Sequence, residues 1–265
     1  MGAENERLLV FGMQSSGATL VVVLLSQDHT TLAVPDVFCG QVAMPAGVFP
    51  PDRRVVAKAT VAADRTLDDH LCSFRPDRTV LVLRHPCQTV ASLCRKPYAS
   101  DGGPIDAKLA RLEETFAARA SFDAVVCYED VVLQPAVAVD ALRPVAPRLT
   151  LDAWTMSRHL DEIEEDARTL AALDETYITA WGGGNVSTTR IDPHRVFRPV
   201  STRTRAVVEA ACPDLLRWYE ARYASRYPTW RRQTVASTPR RLLQEVDHLV
   251  RDPLEVLRRA VPRGR

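Results

Sequence analysis

The sequence predicts an α/β fold: a three-layer α/β/α arrangement around a mainly parallel sheet, with a helical C-terminal portion. Short apolar runs rich in β-branched residues alternate with segments of helical periodicity, and the strand pattern fades after about residue 150. Uninterrupted apolar strands separated by helices are typical of a parallel sheet that is covered on both faces. We therefore expect a single domain over residues 1–265, with its sheet core at about 7–135 and a helical portion and tail at about 150–265.

Four strands are predicted in chain order, each from one apolar run. They are RLLVF (7–11), RVVAKAT (54–60), TVLVLR (79–84) and FDAVVCY (122–128). Helices are predicted after Gly17, over Asp64–Phe74, after Pro86, and over Lys108–Ala120, Leu160–Ala180 and Thr202–Ser225. The glycine-rich stretch at 181–199 is predicted to be a loop.

The charge balance argues against a broad electrostatic partner. The chain of 265 residues is 46% hydrophobic, enough for a sizeable core, and its 34 basic residues face 33 acidic ones for a net charge of +1. This balance produces no field to attract nucleic acid, so no nucleic-acid partner is expected, and any bound anion must be held by local geometry. Only Lys58, Lys96 and Lys108 are lysines, and the other basic residues are arginines.

Cysteine usage and hydropathy indicate a cytoplasmic protein. The six cysteines show no CxxC pair and no histidine at a zinc-ligand spacing, so we expect reduced, buried thiols and no bound metal. The apolar run at 20–25 is far too short to cross a bilayer, so no transmembrane segment is expected.

The octapeptide GMQSSGAT, at 12–19, follows the first strand and precedes the first helix. Gly12 and Gly17 have the spacing of a phosphate-binding loop, and Thr19 occupies the position of its hydroxyl. Ala18, however, stands where a nucleotide triphosphatase has a lysine. Backbone N–H groups and the helix dipole can still hold an anion there, and the absent lysine favours a ligand without a γ-phosphate.

A second stretch, VLVLRHPCQTVAS, places Arg84 directly after a buried strand. That position lies at the carboxyl edge of the sheet, where α/β proteins bind their ligands. Pro86 is expected to begin a helix, with Ser92 about two turns along it. Arg84 and Ser92 are candidates to bind a second phosphate.

Together, GMQSSGATL, VVAKAT, LRHPCQTVAS and VVCYEDVVLQP resemble, in order and spacing, four segments of the PAPS-dependent sulfotransferase family. The resemblance covers about residues 7 to 135. It implies a P-loop fold, PAPS as sulfuryl donor, PAP as product and no metal. The acceptor would be a hydroxyl of a small molecule or a glycan.

The resemblance also assigns residues. Ser16, Gly17, Ala18 and Thr19 would surround the 5′-phosphate, and Arg84 and Ser92 the 3′-phosphate. The full set of expected donor-binding residues is Gly12, Gln14, Ser15, Ser16, Gly17, Ala18, Thr19, Arg84, Ser92, Asn185, Ser187 and Arg190. Family members usually carry lysine or arginine where this chain has Ser15, and Lys58, at the end of its strand, is the expected replacement.

Asp36 is the candidate base that takes the acceptor's proton, with His29 and His70 as weaker alternatives. His85 follows Arg84 and is expected to shape the donor site. Glu129 and Asp130, which follow an apolar strand, also resemble the magnesium-binding end of a P-loop kinase. A small-molecule kinase using ATP, and a non-catalytic nucleotide-binding module, therefore stay open as alternatives.

Overall fold

Five parallel strands form the sheet in the computed structural model, which describes residues 6–35, 53–96, 98–158, 162–163, 165–166, 196 and 200–223. The strands are β1 (Arg7–Gly12), β2 (Thr31–Val34), β3 (Arg54–Thr60), β4 (Arg78–Leu83) and β5 (Ala124–Cys127). Their order across the sheet is β2-β3-β1-β4-β5, and every pairing is parallel. The predicted α/β fold with a parallel sheet is confirmed.

The two faces of the sheet are covered by different helices because side chains alternate along each strand. On β1, Leu9 and Phe11 belong to one apolar cluster, while Leu8 and Val10 belong to another. The helices of the described residues are α1 (Ala18–Leu25), α2 (Leu67–Phe74), α3 (Pro86–Leu93), α4 (Ile105–Ala117), α5 (Tyr128–Leu133), α6 (Pro135–Leu142), α7 (Thr202–Ala211) and α8 (Pro213–Tyr223). The first cluster includes residues of α2, α3, α4, α7 and α8, and the second includes residues of α1, α5 and α6. This is the three-layer arrangement.

One strand was not expected from the sequence. Thr31–Val34 pairs with β3 as an edge strand of only four residues, so the predicted second strand, 54–60, is the third along the chain. Four residues, of which three are apolar and none alternate, give too weak a pattern to separate a strand from a loop. Lys58 was expected at the end of its strand, but it lies within β3, opposite Val10 of β1 and before the last residue, Thr60.

Helix boundaries follow local chemistry. Thr66 and Asp69 form a reciprocal capping box at the start of α2, and Pro86 begins α3 as predicted. The predicted helix at 202–225 is two helices, because Cys212 ends α7 and Pro213 begins α8.

Several predictions concern residues that the structure does not describe. Most of the predicted helix Leu160–Ala180 and most of the loop 181–199 lie outside the described residues, as does the chain after Tyr223. Within the described part of the chain, no helix combines the length and the apolar character needed to cross a membrane.

His70 of α2 is a buried histidine that should make the fold sensitive to acid. Its ring lies 5.6 Å from that of Phe11, and burial lowers its pKa from 6.5 to about 4, with a further contribution from Arg65. A depressed pKa means that the unfolded chain takes up the proton first. The stability that His70 contributes is therefore complete above pH 6.5 and is lost as the pH falls towards 4.

Replacing His70 with Gln should flatten this acid loss of stability. The difference between a pKa of 6.5 in the unfolded chain and about 4 in the fold corresponds to roughly 3 kcal/mol of unfolding free energy. His70→Gln should therefore reduce the fall in unfolding free energy between pH 7.5 and pH 4 by an amount of that order. Urea unfolding at pH 7.5, 6, 5 and 4.5 measures it. His29→Gln, at a histidine whose side chain is 78% exposed, is the control and should leave the slope unchanged. An equal slope in wild type and His70→Gln would contradict the prediction.

Candidate functional site

The candidate site lies at the carboxyl ends of β1 and β4. From β1 the chain continues to β2 and β3 on one side, whereas β4 continues to β5 on the other side. In open α/β sheets, ligands bind in the crevice where the chain direction reverses in this way. The loop after β1 carries GMQSSGAT and the loop after β4 carries Arg84 and His85, so the two motifs flank this crevice.

The loop after β1 turns tightly into α1. Ser15 and Gly17 both have positive φ, 64° and 91°, and the Ser16 N–H donates to Met13 O at 3.0 Å. The first hydrogen bond of α1 runs from Val21 N–H to Gly17 O at 3.1 Å. The N–H groups that precede Val21 therefore have no acceptor within the helix, and together with the helix dipole they favour an anion.

Both glycines of the loop are required by close approaches. A Cβ on Gly12 would lie 2.7 Å from Ser16 Oγ and 2.8 Å from Val82 O on β4. A Cβ on Gly17 would lie 2.3 Å from the ring of Tyr128. The GxxxxG spacing is therefore explained by packing against β4 and α5 as well as by backbone conformation.

Lys58 brings an ammonium group to the loop. Its side chain lies on the α1 face of β3, is 6% exposed, and donates from Nζ to Thr19 Oγ1 at 3.2 Å. Since position 18 is alanine, this cation reaches the loop from a neighbouring strand. Lys58, the expected replacement for the basic residue absent at Ser15, is thus in direct contact with the loop, at Thr19.

Arg84 connects three sequence motifs. Its Nη1 donates to Ser15 O at 2.9 Å, and its guanidinium carbon lies 4.4 Å from the centre of the Tyr128 ring. Nη2 donates to Val196 O at 3.4 Å, so the late loop at 181–199 reaches this arginine at its described residue. Arg84 thus holds the phosphate loop, the β5–α5 segment and the late loop together, and is itself 7% exposed.

His85 and Glu129 stabilise the edge beside Arg84. The backbone N–H of His85 donates to Glu129 Oε1 at 3.0 Å, and Tyr219 donates to Glu129 Oε2 at 3.2 Å. Burial raises the pKa of Glu129, against the opposing effect of Arg84. Burial lowers the pKa of His85 to about 3, so its ring is neutral and its Nδ1 accepts from Cys87 N–H at 3.2 Å.

The other expected site residues are not joined to this group by described contacts. Ser92 lies in the last turn of α3, about 9 Å along the helix from Pro86, and no contact among the described residues links it to Arg84. Exposed His29 is 3.8 Å from Glu162, away from the loop's contacts. Asp36, Asn185, Ser187 and Arg190 lie outside the described residues.

Three buried donors at the site have no partner among the residues that the structure describes. Ser16 Oγ, Gln14 Nε2 and Arg84 Nε are all buried, and none has a hydrogen-bond partner within the part of the chain that the structure describes. Buried polar groups are nearly always hydrogen-bonded, and each exception requires an explanation. All three groups can donate to an oxyanion, so the residues present fit a phosphate or a phosphosulfate.

Two contributors to the site were not identified from the sequence. Tyr128 packs between Gly17 and Arg84, and Lys108, fully buried on α4, donates to Gln14 Oε1 at 2.8 Å. Tyr128 directly follows a buried strand, as Arg84 does, and Lys108 is one of three lysines in an arginine-rich chain. Both signals were present, but neither indicates which partner a side chain reaches.

No protein-family model matches the chain, and no curated protein matches it. We therefore infer the function from the geometry of the site and from the sequence motifs.

Gly17→Ala should disrupt the loop. A left-handed backbone at a non-glycine residue costs about 1–3 kcal/mol, and the new Cβ also contacts the Tyr128 ring. We expect a loss of that order in urea unfolding. The cost should be smaller when Gly17→Ala is introduced into a Tyr128→Ala background, because the ring contact is gone while the backbone cost stays. Equal costs in both backgrounds would show that Tyr128 does not constrain Gly17.

Proposed function

We propose that this protein is a sulfotransferase that moves a sulfuryl group from PAPS to a hydroxyl of a small molecule or carbohydrate. One observation carries the proposal: two buried cations, Lys58 and Arg84, contact the same lysine-less phosphate loop at the crevice between β1 and β4. The loop itself contributes the start of α1 and two buried side-chain donors, Gln14 Nε2 and Ser16 Oγ, that have no partner among the described residues. Such a site suits a donor that has a phosphate group on each side of its ribose.

The loop residues are proposed to hold the 5′ side of the donor. The N–H groups at the start of α1 and the Ser16 hydroxyl can donate to its oxygens, while Lys58 provides positive charge through its contact with Thr19. PAPS supplies an activated sulfuryl group whose departure leaves negative charge on the 5′-phosphate. Fixed donors and a buried cation stabilise that charge best when they are positioned in advance.

Arg84 is proposed to bind the 3′-phosphate while it also holds the loop. Its two Nη atoms donate to carbonyl oxygens in the structure, and its buried Nε–H is the donor that the described residues leave unpaired. The stacking of Arg84 on Tyr128 fixes the plane of the guanidinium. An arginine oriented in this way can distinguish a donor with a 3′-phosphate from one without it.

A P-loop kinase is the second candidate, and Lys58 is the observation that favours it, because an ammonium group at the loop is what ATP requires. Glu129, however, accepts hydrogen bonds from His85 and Tyr219, and Asp130 accepts one from Arg222 at 3.2 Å. These carboxylates hold α5, α8 and the Arg84 loop together. We therefore favour sulfuryl transfer, with PAPS as the donor and PAP as the product. We propose that the protein acts in the cytoplasm.

Calorimetry with PAP and with ATP, each with and without Mg²⁺, tests the proposal. PAP should bind without Mg²⁺ and more tightly than ATP. Arg84→Ala should weaken PAP binding by about 10- to 100-fold, the range expected for a lost hydrogen bond between charged groups. Lys58→Met should weaken it by about tenfold, and Lys58→Arg by less, because the charge is retained.

Arg143→Ala provides the matched control. Arg143 is exposed beside α6 and pairs with Asp140, so its replacement should leave PAP binding unchanged. A preference for ATP that depends on Mg²⁺ would establish the kinase alternative and overturn sulfuryl transfer. Loss of affinity in Arg143→Ala equal to that in Arg84→Ala would remove the evidence for a specific role of Arg84.

Asp36 is proposed as the base that accepts the proton of the acceptor hydroxyl. Asp36→Asn should then lower the turnover of labelled PAPS with a panel of phenols, sugars and aliphatic alcohols by at least about 100-fold, the lower range for general-base catalysis. The affinity for PAP should stay within about twofold of wild type, since the base acts on the acceptor. Full turnover in Asp36→Asn would show that another group is the base.

A further inference from the structure

Gln14, in the phosphate loop, is bound by a lysine from a distant helix. Lys108 of α4 is fully buried, and its Nζ donates to Gln14 Oε1 at 2.8 Å, to Ala99 O at 2.7 Å and to Asp101 O at 2.9 Å. An ammonium group has three N–H donors and no acceptor. All three donors of Lys108 are therefore used within the protein, and none is left for a ligand.

This contact fixes the orientation of the Gln14 amide. Because Lys108 can only donate, the oxygen of the amide must face it, which settles the choice between the two amide orientations. The Nε2 group, with its two N–H donors, is then directed away from Lys108. Gln14 is 4% exposed, and its Nε2 is buried without a hydrogen-bond partner among the described residues.

The unpaired amide lies in the same loop as a second unpaired donor. Ser16 Oγ, two residues along, is also buried and lacks a partner in the described part of the chain. It lies beside Gly12 at the end of β1, where a Cβ on that glycine would be only 2.7 Å from it. Gln14 Nε2 and Ser16 Oγ are thus two buried donors of an anion-binding type of loop for which the described residues provide no acceptor.

We propose that Gln14 Nε2 donates a hydrogen bond to the phosphate or sulfuryl oxygens on the 5′ side of the donor, and that Lys108 is a positioning residue that fixes this amide. The inference rests on the proposed function, because that function names the donor. The neutral amide of Gln14 would then provide one of the hydrogen bonds that a lysine or arginine at position 15 would otherwise donate. Lys108 acts through Gln14 and does not contact the ligand.

Two variants of Gln14 separate this role from its alternatives. Gln14→Glu keeps an acceptor for Lys108 but removes both N–H donors, whereas Gln14→Met removes the amide but leaves the positive charge of Lys108. Because the carboxylate of Gln14→Glu also repels an anion, a loss of affinity supports the donor role only if the uncharged variant Gln14→Met shows it as well. If Lys108 attracts the anion through its charge alone, Gln14→Met should bind normally.

The readout is calorimetric affinity for PAP and for adenosine 3′-phosphate, which lacks the 5′-phosphate. We expect both Gln14 variants to weaken PAP binding by about 10-fold or more, the loss expected when a donor to a charged group is removed. Binding of adenosine 3′-phosphate should change by less than about twofold, and Gln14→Glu should keep a thermal midpoint at or above that of wild type. A purely structural defect would weaken both ligands.

Lys108→Met tests the positioning role. Lys108→Met should weaken PAP binding but not adenosine 3′-phosphate binding. The double variant Lys108→Met/Gln14→Met should bind PAP no more weakly than the single variant with the lower affinity, because both substitutions remove the same contact. Additive losses would overturn the positioning role of Lys108. If Lys108→Met does not fold, Lys108→Arg, which keeps N–H donors for Gln14 Oε1, is used instead: PAP affinity close to that of wild type supports the positioning role, and a loss as large as that of Gln14→Met overturns it.

The failure of this inference differs from a failure of the proposed function. Wild-type PAP affinity in either Gln14 variant overturns the donor role of Gln14 and leaves the sulfotransferase proposal in place. If the wild type binds ATP and not PAP, the proposed function fails, and the Gln14 variants are compared on ATP against adenosine. A wild-type protein that binds neither PAP nor ATP overturns both proposals.

Discussion

The contact between Gly17 and Tyr128 constrains the carboxyl edge of the sheet where β1, β4 and β5 end. The Tyr128 ring leaves no room for a side chain at Gly17, and the guanidinium of Arg84 lies 4.4 Å from the centre of the same ring. The β1–α1 loop, the end of β4 and the start of α5 therefore have one relative arrangement. The packing of Tyr128 against Gly17 and Arg84 therefore belongs both to the fold and to the candidate site.

Cations reach this edge from three different elements. Lys58 comes from β3, Arg84 from the end of β4 and Lys108 from α4, and each is buried. Their hydrogen bonds to the loop go to neutral oxygens, namely Thr19 Oγ1, Ser15 O and Gln14 Oε1. A neutral acceptor satisfies a donor without cancelling its charge. The loop's oxygens therefore face the cations, while two of its donors, Gln14 Nε2 and Ser16 Oγ, have no partner within the described residues. This arrangement favours a bound oxyanion.

How much of this was predictable depends on the range of the interaction. The strand at 54–60 was predicted with its observed bounds, and the start of α3 at Pro86 follows from proline chemistry, because both depend on neighbours in sequence. The edge strand β2 was missed because four residues carry too little pattern. Tyr128 and Lys108 were missed for another reason: their roles depend on partners 111 and 94 residues away, Gly17 and Gln14, which no local pattern identifies.

The origin of the cation beside Thr19 bears on what the loop can select. A lysine within a phosphate loop would be carried by the loop itself, whereas Lys58 is placed by the register of β3 against β1, opposite Val10. Its ammonium group contacts Thr19 from the α1 side of the sheet and is almost fully buried, so the charge has little freedom to follow a ligand. A cation held so rigidly can stabilise negative charge only at the position it faces. Alanine at position 18 and lysine at position 58 are thus two parts of one arrangement, in which the loop contributes donors and the neighbouring strand contributes the charge.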